Sequence, residues 1–283
     1  MSLKTTVITG ATSGIGKETA LALAKKDHAL YLLVRNVVKG EQLKKDIIAQ
    51  TGNQHIVIVK CDLSDLQSVR EAADELKSKL VLINVLINNA GGIFNHKVIT
   101  KNGFESTFAI NHLAHFLLTT SLMPLLEKGQ ARIINISSDA HKIGKANFDD
   151  MQWEQEKYSP MKAYAMAKLF NIYFTRSLAE KYADKGVSSF AVHPGIVKTS
   201  FGAGLGGFGK ILLMLASPFM ISAEQGAQTS IFLATEPGID AKSSQYFTKK
   251  KIAKSSGLSW NEENRNKLWD ISKKLVARSA PAE

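Results

Sequence analysis

Short apolar segments alternate with amphipathic segments along almost the entire chain. The apolar segments carry valine, isoleucine and leucine at successive positions, a pattern that favours strands buried on both faces of a parallel sheet. Six such strands are predicted, at Thr5–Thr9, Ala29–Val34, His55–Val59, Val85–Ile87, Arg132–Ile136 and Val187–Val192. A short seventh strand is predicted at Ser244–Phe247.

Between the strands, apolar residues recur at helical spacing. The predicted helices are Ile15–Lys26, Val38–Gln50, Leu66–Leu80, Gly103–Leu126, Ala163–Tyr182, Ala223–Leu233 and Glu262–Val276. Strands and helices in turn, with short connections, indicate repeated βαβ units and therefore an α/β fold with a Rossmann-type, doubly wound parallel sheet. Because no repeat or linker divides the chain, residues 1–283 are predicted to form a single domain.

One stretch, Gly202–Met220, breaks the alternation because it is rich in glycine and large apolar residues. It is interpreted as a small substrate-binding lobe or lid within the domain, and the alternative is an extra core helix. If the stretch is a lid, its apolar side chains would line a pocket suited to a hydrophobic aldehyde, ketone or alcohol.

The charge balance is basic: 36 lysines and arginines against 25 acidic residues, for a net charge of +11. Such a balance suits an anionic small ligand, an anionic membrane or nucleic acid. The lysines are scattered rather than organised with aromatic platforms, so nucleic-acid binding is not expected. The cluster Lys249–Lys251 with Lys254 leaves a peripheral membrane contact open, and the alternative is a solvated edge.

The single cysteine, Cys61, excludes an intrachain disulfide and fits a reducing compartment. No apolar run approaches the ~18 residues that span a bilayer, and the expected location is cytoplasmic. The pair His112 and His115 could suggest zinc, but no cysteine or carboxylate completes the spacing of a metal site, so no metal is predicted.

A glycine-rich turn follows the first predicted strand and precedes a helix. In this context glycines let the backbone approach a pyrophosphate, and the helix N-terminus offers free N–H groups. The alternative is an ordinary βα turn. The residues expected to contact a dinucleotide here are Gly10, Thr12, Ser13, Gly14, Ile15 and Gly16.

The ends of the second and third strands bear on the choice of nucleotide. Arg35 and Asn36 stand where an acidic residue would favour NAD, and a guanidinium can instead pair with the 2′-phosphate of NADP. We therefore expect NADP(H); the alternative is that Arg35 only faces solvent. Asp62, followed by Leu63, could accept from the adenine amino group, unless Asp62 or Ser64 caps the next helix.

Candidate catalytic residues are found in and after the later predicted strands and helices. Tyr164 and Lys168 are one helical turn apart, so an ammonium could lower the pKa of the phenol. Ser138 follows the fifth strand, where its hydroxyl could hold a substrate oxygen. Asn111 stands in an apolar helical run, which suggests a buried polar role. A polar turn, Asn88–Gly91, ends the fourth strand at the same edge.

These residues together resemble the short-chain dehydrogenase/reductase family. The motifs that carry the resemblance are Thr9-Gly10-x-x-x-Gly14-Ile15-Gly16, Asn88-Asn89-Ala90-Gly91, Asn111, Ser138, Tyr164-x-x-x-Lys168 and Pro194-Gly195, which occur in family order over nearly the whole chain. The stretches Gly16–Ala20, Asn111–Phe116 and Asn135–His141 are similar to the retinol dehydrogenase-like branch, as are Lys39-Gly40-Glu41 and Leu268-Trp269. Because this branch acts on varied substrates, retinoid activity does not follow.

The resemblance implies a mechanism and a residue set. Tyr164 would be the catalytic acid/base, Ser138 would hold the carbonyl oxygen, and Lys168 would lower the tyrosine pKa and bind the nicotinamide ribose. Asn111 would anchor a water that links Lys168 to solvent. The further cofactor contacts that the family implies are Asn89, Ala90, Gly91, Pro194, Gly195, Val197 and Thr199.

The spacing of 26 residues from Ser138 to Tyr164 is longer than the family usually shows, so residues Lys142–Ser159 must loop out and return. Two other functions compete with carbonyl–alcohol interconversion on a lipophilic small molecule: carbon–carbon double-bond reduction of the protochlorophyllide reductase kind, and non-catalytic NADP(H) sensing. A homo-oligomer is compatible with the resemblance, because some family members are dimers or tetramers.

Overall fold

The computed structural model describes residues 3–197 and 220–279. The predicted lobe at Gly202–Met220, except Met220 itself, and the predicted cofactor contact Thr199 therefore lie outside the described residues. The strands are β1 (Thr5–Thr9), β2 (Ala29–Val34), β3 (Ile56–Lys60), β4 (Val85–Asn88), β5 (Arg132–Ile136), β6 (Ser188–His193), β7 (Tyr246–Thr248) and β8 (Lys251–Ile252).

These strands form one sheet in the order β3-β2-β1-β4-β5-β6-β7-β8. All pairs are parallel except β7 with β8. The chain reverses its direction of travel across the sheet between β3 and β4, so β1 and β4 become neighbours from opposite halves. At such a point the loops after the strands diverge, which leaves a crevice at their carboxyl ends. The predicted doubly wound parallel sheet is confirmed.

Helices cover both faces of the sheet. They are α1 (Gly14–Ala24), α2 (Val37–Thr51), α3 (Leu66–Lys79), α4 (Ser106–Phe108), α5 (Ala114–Ser121), α6 (Met123–Lys128), α7 (Pro160–Lys181), α8 (Ala223–Thr235) and α9 (Glu262–Arg278). One buried cluster joins the sheet to α1, α2 and α8, and a second joins it to α3, α5, α7 and α9. This arrangement explains why the strands are apolar on both faces.

The prediction of one helix over Gly103–Leu126 was wrong. The helix begins later, because the buried Glu105 carboxylate accepts from Thr107 N at 2.7 Å and Phe108 N at 2.9 Å and so caps α4. A π-helical turn over Ala109–Leu113 then separates α4 from α5. A break at Leu122 follows, because Pro124 occupies the first turn of α6 and cannot donate a backbone N–H.

The residues between Ser138 and α7 do loop out and return, and the returning segment is anchored. The Asp150 carboxylate accepts from the backbone N–H groups of Glu154, Gln155 and Glu156 at 2.6 to 3.2 Å. Tyr158 Oη donates to Phe94 O at 2.9 Å. The helix α7 then begins at Pro160, three residues before the predicted start.

Other boundaries differ by a few residues. The seventh strand begins at Tyr246 rather than Ser244, because Ser244 has φ of 71° and cannot continue an extended strand. The edge strand β8 was not predicted, since two residues carry too little pattern. No helix within the described residues is long and apolar enough to span a bilayer.

His28, at the start of β2, makes the folded state sensitive to acid. Its Nδ1 lies 2.7 Å from Thr6 Oγ1, and burial, with Lys4 and Lys26 nearby, lowers its pKa to about 4. An unfolded histidine has a pKa of about 6.5. Between these values only the unfolded chain takes up the proton, so the free energy of unfolding falls as the pH falls from about 6.5 to about 4.

We expect His28→Asn to be less stable than the wild type at pH 7.5, with the gap shrinking by about 2 kcal/mol at pH 4.5 because asparagine does not titrate. Urea unfolding at both values of pH measures the gap. A gap that stays constant over this range would contradict the neutral, buried His28.

Candidate active site

Ser138 and Tyr164 meet at the carboxyl end of the sheet. Ser138 follows β5 in extended conformation, where its hydroxyl accepts from Ala140 N at 3.2 Å, and Tyr164 lies in the second turn of α7, where its phenol is near enough to the Ser138 hydroxyl for that group to lower the phenol pKa. Ser137 is oriented differently, because its hydroxyl donates to Lys168 O at 2.7 Å and is buried. The structure therefore brings Ser138, and not Ser137, to the tyrosine.

Lys168 lies one turn after Tyr164 and is almost fully buried. Its Nζ is 5.3 Å from the centroid of the Tyr164 ring and donates to Ile136 O at 3.0 Å. Burial lowers the pKa of Lys168 to about 7, because the ammonium has lost most of its hydration. The side chain can therefore gain or lose a proton near neutral pH.

The expected lowering of the Tyr164 pKa is not found in this arrangement. Burial raises the pKa of Tyr164, and the hydrogen bond with Ser138 only partly opposes that effect. The expectation considered the ammonium charge and omitted desolvation, which acts on both groups and favours a neutral phenol beside a weakly basic amine. A neutral phenol can donate a proton to a substrate oxygen.

Asn111 lies in the π-helical turn and is fully buried. Its Nδ2 donates to Thr107 O at 2.8 Å and to Gly92 O at 2.9 Å, and its Oδ1 accepts from Gly92 N at 3.1 Å. In an α-helix Thr107 O would accept the backbone N–H of residue 111. The side-chain amide thus adds a donor to Thr107 O, and it also fixes the loop after β4.

Gly91 brings Asn111 and Lys168 together. A Cβ at Gly91 would lie 2.4 Å from Asn111 Oδ1 and 3.4 Å from Lys168 Nζ, so only glycine allows this approach. The predicted residues Asn111, Ser138, Tyr164 and Lys168 therefore lie around one crevice.

The glycine-rich turn lies at the same edge of the sheet. Gly10 and Gly14 have φ of 68° and 53°, and a Cβ at Gly16 would lie 2.3 Å from Gly10 O. Ser13, at the N-cap of α1, makes no side-chain cap, and the first turn of α1 contains no acidic residue. The N–H groups of that turn are thus free to bind a ligand anion, so the turn fits a pyrophosphate. Thr12 and Ile15 are half-buried beside it.

Thr9, which sequence reasoning did not assign to the cofactor site, anchors the turn after β4. Its hydroxyl accepts from Asn89 N and Ala90 N, each at 3.0 Å, and contacts His115 Nε2 at 2.9 Å. Asn89 Nδ2 donates in return to Thr9 O at 2.8 Å and to Gly10 O at 3.2 Å. The sequence signal that could have identified Thr9 is a hydroxyl side chain at the last position of the buried first strand.

The residues expected to recognise the adenosine end lie after β2 and β3. Arg35 is exposed and forms no ion pair or hydrogen bond within residues 3–197 and 220–279. Asn36 caps α2 by accepting from Lys39 N at 3.0 Å. Asp62 accepts from the backbone and hydroxyl of Ser64, at 3.0 and 2.7 Å. Helix α3 is capped by Asp65, so neither Asp62 nor Ser64 serves as its cap. Leu63, which lies between Asp62 and Ser64 in the sequence, is buried.

The segment after β6 closes the crevice beside the glycine-rich turn. Gly195, after Pro194, has φ of 93°, a conformation that favours glycine. Val197 pairs with Ile221 in an isolated parallel bridge. A Cβ at Gly226 would lie 2.7 Å from Val197 Cγ2 and 3.3 Å from Ile15 Cγ1, so this glycine brings the two segments together.

The two histidines that could have suggested zinc have separate partners. His112 Nε2 lies 3.0 Å from Ser272 Oγ on α9, whereas His115 contacts Thr9 on β1. Within the part of the chain that the structure describes, no group of three or more histidine, cysteine or acidic side chains is arranged to hold a metal ion.

The close approach at Gly91 has a measurable consequence. In Gly91→Ala the new methyl group would displace Asn111 Oδ1, and the amide cannot move without losing the bond from Gly92 N to Oδ1 and the bond from Nδ2 to Thr107 O. We expect at least about tenfold lower kcat/KM for oxidation of NADPH by an aldehyde, because small displacements of reacting groups are costly.

The matched control is Gly92→Ala. A Cβ at Gly92 would meet nothing closer than the Phe94 ring at 3.9 Å, so activity should be retained. Equal activity of the two variants, both folded by circular dichroism, would contradict the proposed packing around Asn111.

Comparison with known proteins agrees with this geometry. The short chain dehydrogenase family matches residues 4–206. Retinol dehydrogenase 12 from Mus musculus and retinol dehydrogenase 11 from Homo sapiens are each 40% identical over 274 residues, covering 96% of this chain and 86% of theirs. The resemblance to the retinol dehydrogenase-like branch is therefore confirmed.

Solved structures share the fold. An uncharacterised protein from Mycobacterium paratuberculosis superposes with a TM-score of 0.78 at 29% identity, over 97% of this chain and 93% of that one. An NADPH-bound carbonyl reductase from chicken fatty liver gives 0.67 at 22% identity, over 90% and 100%, and at this identity the likeness concerns the fold alone. From the family match and the extent of the identity, we conclude that the chain belongs to the short-chain dehydrogenase family of nicotinamide-dependent oxidoreductases.

Proposed function

We propose that the protein is an NADP(H)-dependent oxidoreductase that interconverts a carbonyl group and an alcohol on a lipophilic small molecule. The observation that carries the proposal is the placement of Ser138 beside Tyr164, with the buried Lys168 Nζ 5.3 Å from the tyrosine ring centroid. These groups lie at the carboxyl edge of the sheet that also holds the glycine-rich turn. A substrate carbonyl in this crevice would meet a proton donor and a hydroxyl on the same side.

The proposed roles follow from these contacts. When bound, the nicotinamide supplies the hydride that a carbonyl carbon receives. Tyr164, kept neutral by burial, donates its proton to the carbonyl oxygen, and Ser138 orients that oxygen. Lys168, whose pKa burial lowers to about 7, exchanges protons near the working pH. Asn111 donates to Gly92 O in the loop after β4 and to Thr107 O, and so acts on the geometry around Lys168.

The substrate class rests on the relatives. Proteins named retinol dehydrogenases, 40% identical over most of the chain, carry a lipophilic alcohol in their names. The sequence-based interpretation of Gly202–Met220 as an apolar lobe agrees with a hydrophobic substrate. Non-catalytic NADP(H) sensing is the competing outcome of the assay below, and double-bond reduction is the alternative reaction.

The choice of NADP(H) rests on Arg35. Its exposed guanidinium follows β2 without a partner in the described part of the chain, and no carboxylate stands between Val34 and Asn36. A free guanidinium at this position can pair with a 2′-phosphate through two parallel hydrogen bonds.

Catalysis by Tyr164 can be tested with NADPH and a panel of apolar aldehydes, ketones and retinal. We expect turnover by the wild type, and a loss of at least about a hundredfold in kcat for Tyr164→Phe, because phenylalanine cannot donate the proton. The dissociation constant for NADPH, from fluorescence titration, should change little. Turnover by Tyr164→Phe at the wild-type rate would refute the role of Tyr164, whereas NADPH binding without any turnover would favour the sensing function.

Nucleotide choice can be tested separately with Arg35→Asp. The new carboxylate would repel the 2′-phosphate and could accept from ribose hydroxyls, so kcat/KM should fall for NADPH and rise for NADH, with a combined change of about a hundredfold. Lys45→Asp, also exposed and on α2, changes the net charge equally and should leave the preference intact. Near-equal wild-type efficiency with both nucleotides would refute the NADP(H) proposal.

A further inference from the structure

The carbonyl group of Ser138 is held by His141. We propose that His141 is a positioning residue that fixes the Ser138 hydroxyl relative to Tyr164, by bridging the Ser138 backbone to the backbone N–H of Ser256. This proposal deepens the proposed function and rests on it, because the role of Ser138 belongs to that function.

Both donors of His141 point at the same oxygen. Ser138 O accepts from His141 N at 3.0 Å and lies 2.7 Å from His141 Nδ1. On the other side of the ring, Ser256 N donates to His141 Nε2 at 3.0 Å. An N–H group facing Nε2 requires a lone pair there, so the network assigns the proton to Nδ1. Burial also lowers the pKa of His141, which keeps the ring neutral.

The imidazole has little freedom to turn. His141 is fully buried, and the Tyr246 ring packs against it edge-on at 4.9 Å between centroids. Tyr246 Oη donates to Asp139 Oδ1 at 2.8 Å, so the residue after Ser138 is held by the same aromatic side chain. Both ring nitrogens of His141 have protein partners, which leaves neither for substrate or cofactor.

The segment that supplies the Ser256 N–H is anchored to α7, the helix that carries Tyr164. Arg176 donates to Ser259 O and Oγ and to Ser255 Oγ, and its guanidinium stacks on Trp260 at 3.5 Å from the ring centroid. A chain of contacts therefore runs from α7 through residues 255–260 to His141 and Ser138. It fixes the serine to the helix of the tyrosine independently of the direct approach of the two hydroxyls.

Ser256 allows a test at the donor end of this bridge. Its φ of −62° already suits proline, and its Oγ is buried without a hydrogen-bond partner. Ser256→Pro therefore keeps the backbone angle but replaces the N–H that donates to His141 by the ring Cδ, which displaces the imidazole, whereas Ser256→Ala keeps that donor and loses no hydrogen bond. We expect Ser256→Pro to lower kcat by about tenfold, because misplacement of a reacting group by about 1 Å is costly. Ser256→Ala should keep the wild-type kcat.

Variants of His141 provide a second test of the proposal. His141→Asn keeps an amide donor near the Nδ1 position and should retain more kcat than His141→Leu, which has none. The NADPH dissociation constant should stay within about twofold in both, because His141 touches the serine loop and not the glycine-rich turn. His28→Asn, which also loses a buried imidazole but lies at the opposite end of its strand, should lose stability with kcat unchanged.

Three results would overturn the proposal: equal kcat in Ser256→Pro and Ser256→Ala, equal kcat in His141→Leu and wild type, or NADPH binding that weakens in parallel with kcat. A long-range proton–nitrogen NMR correlation gives an independent readout, since it should show His141 protonated at Nδ1 and not at Nε2. If the wild type turns over no substrate, the proposed function fails, while an Nε2-protonated ring would refute the His141 bridge itself.

Discussion

A buried lysine ammonium that has no carboxylate partner among the described residues is the constraint on which the candidate active site depends. Removing such a charge from water is costly unless polar groups replace the lost hydration. Ile136 O accepts from Lys168 Nζ, and Lys168 forms no ion pair within the described residues. The incomplete compensation lowers the pKa of Lys168 to about 7. The same desolvation keeps Tyr164 neutral, so one property of the environment sets the protonation of both groups.

That environment is held rigid by polar side chains beneath it. Asn88 Nδ2 donates to Asn135 Oδ1 at 2.8 Å and to Thr119 Oγ1 at 3.0 Å. Asn135 Nδ2 in turn donates to Thr175 Oγ1 at 3.0 Å and approaches Ser189 Oγ at 3.3 Å. This buried network ties β4, β5 and β6 to α5 and α7. Because a buried polar group that loses its partner is penalised, the network opposes slippage of the strands that carry the site.

Helix α7 connects the candidate catalytic residues to the C-terminal part of the fold. Its first half presents Tyr164 and Lys168 to the crevice, and its second half holds the chain after β8 through Arg176. The helix α9 packs along the same part of the fold, where His112 of the π-helical turn contacts Ser272. The C-terminal segments therefore support the candidate site through Ser255, Ser259 and Ser272, which no motif includes.

Much of the architecture and of the candidate site followed from the sequence because the signals are local. Buried strands are apolar at successive positions, and β1, β2 and β5 begin and end at the predicted residues. The glycine-rich turn is a short stretch with its own backbone requirements, and Tyr164 and Lys168 share a helix face at a spacing of four. Such patterns need only neighbouring residues and the geometry of one element.

The tertiary structure decided what depends on distant partners. The π-helical turn at Asn111 is stabilised by Gly92, and a carbonyl on α7 turns Ser137 away from the tyrosine, whereas the resemblance had already pointed to Ser138. The direction in which the Tyr164 pKa shifts is set by burial, and the spacing of residues along the chain does not reveal burial. His141 meets Ser256 across 115 residues of sequence. Spacing along the chain determines which side chains share an element, whereas hydrogen-bond partners and desolvation are properties of the packed molecule alone.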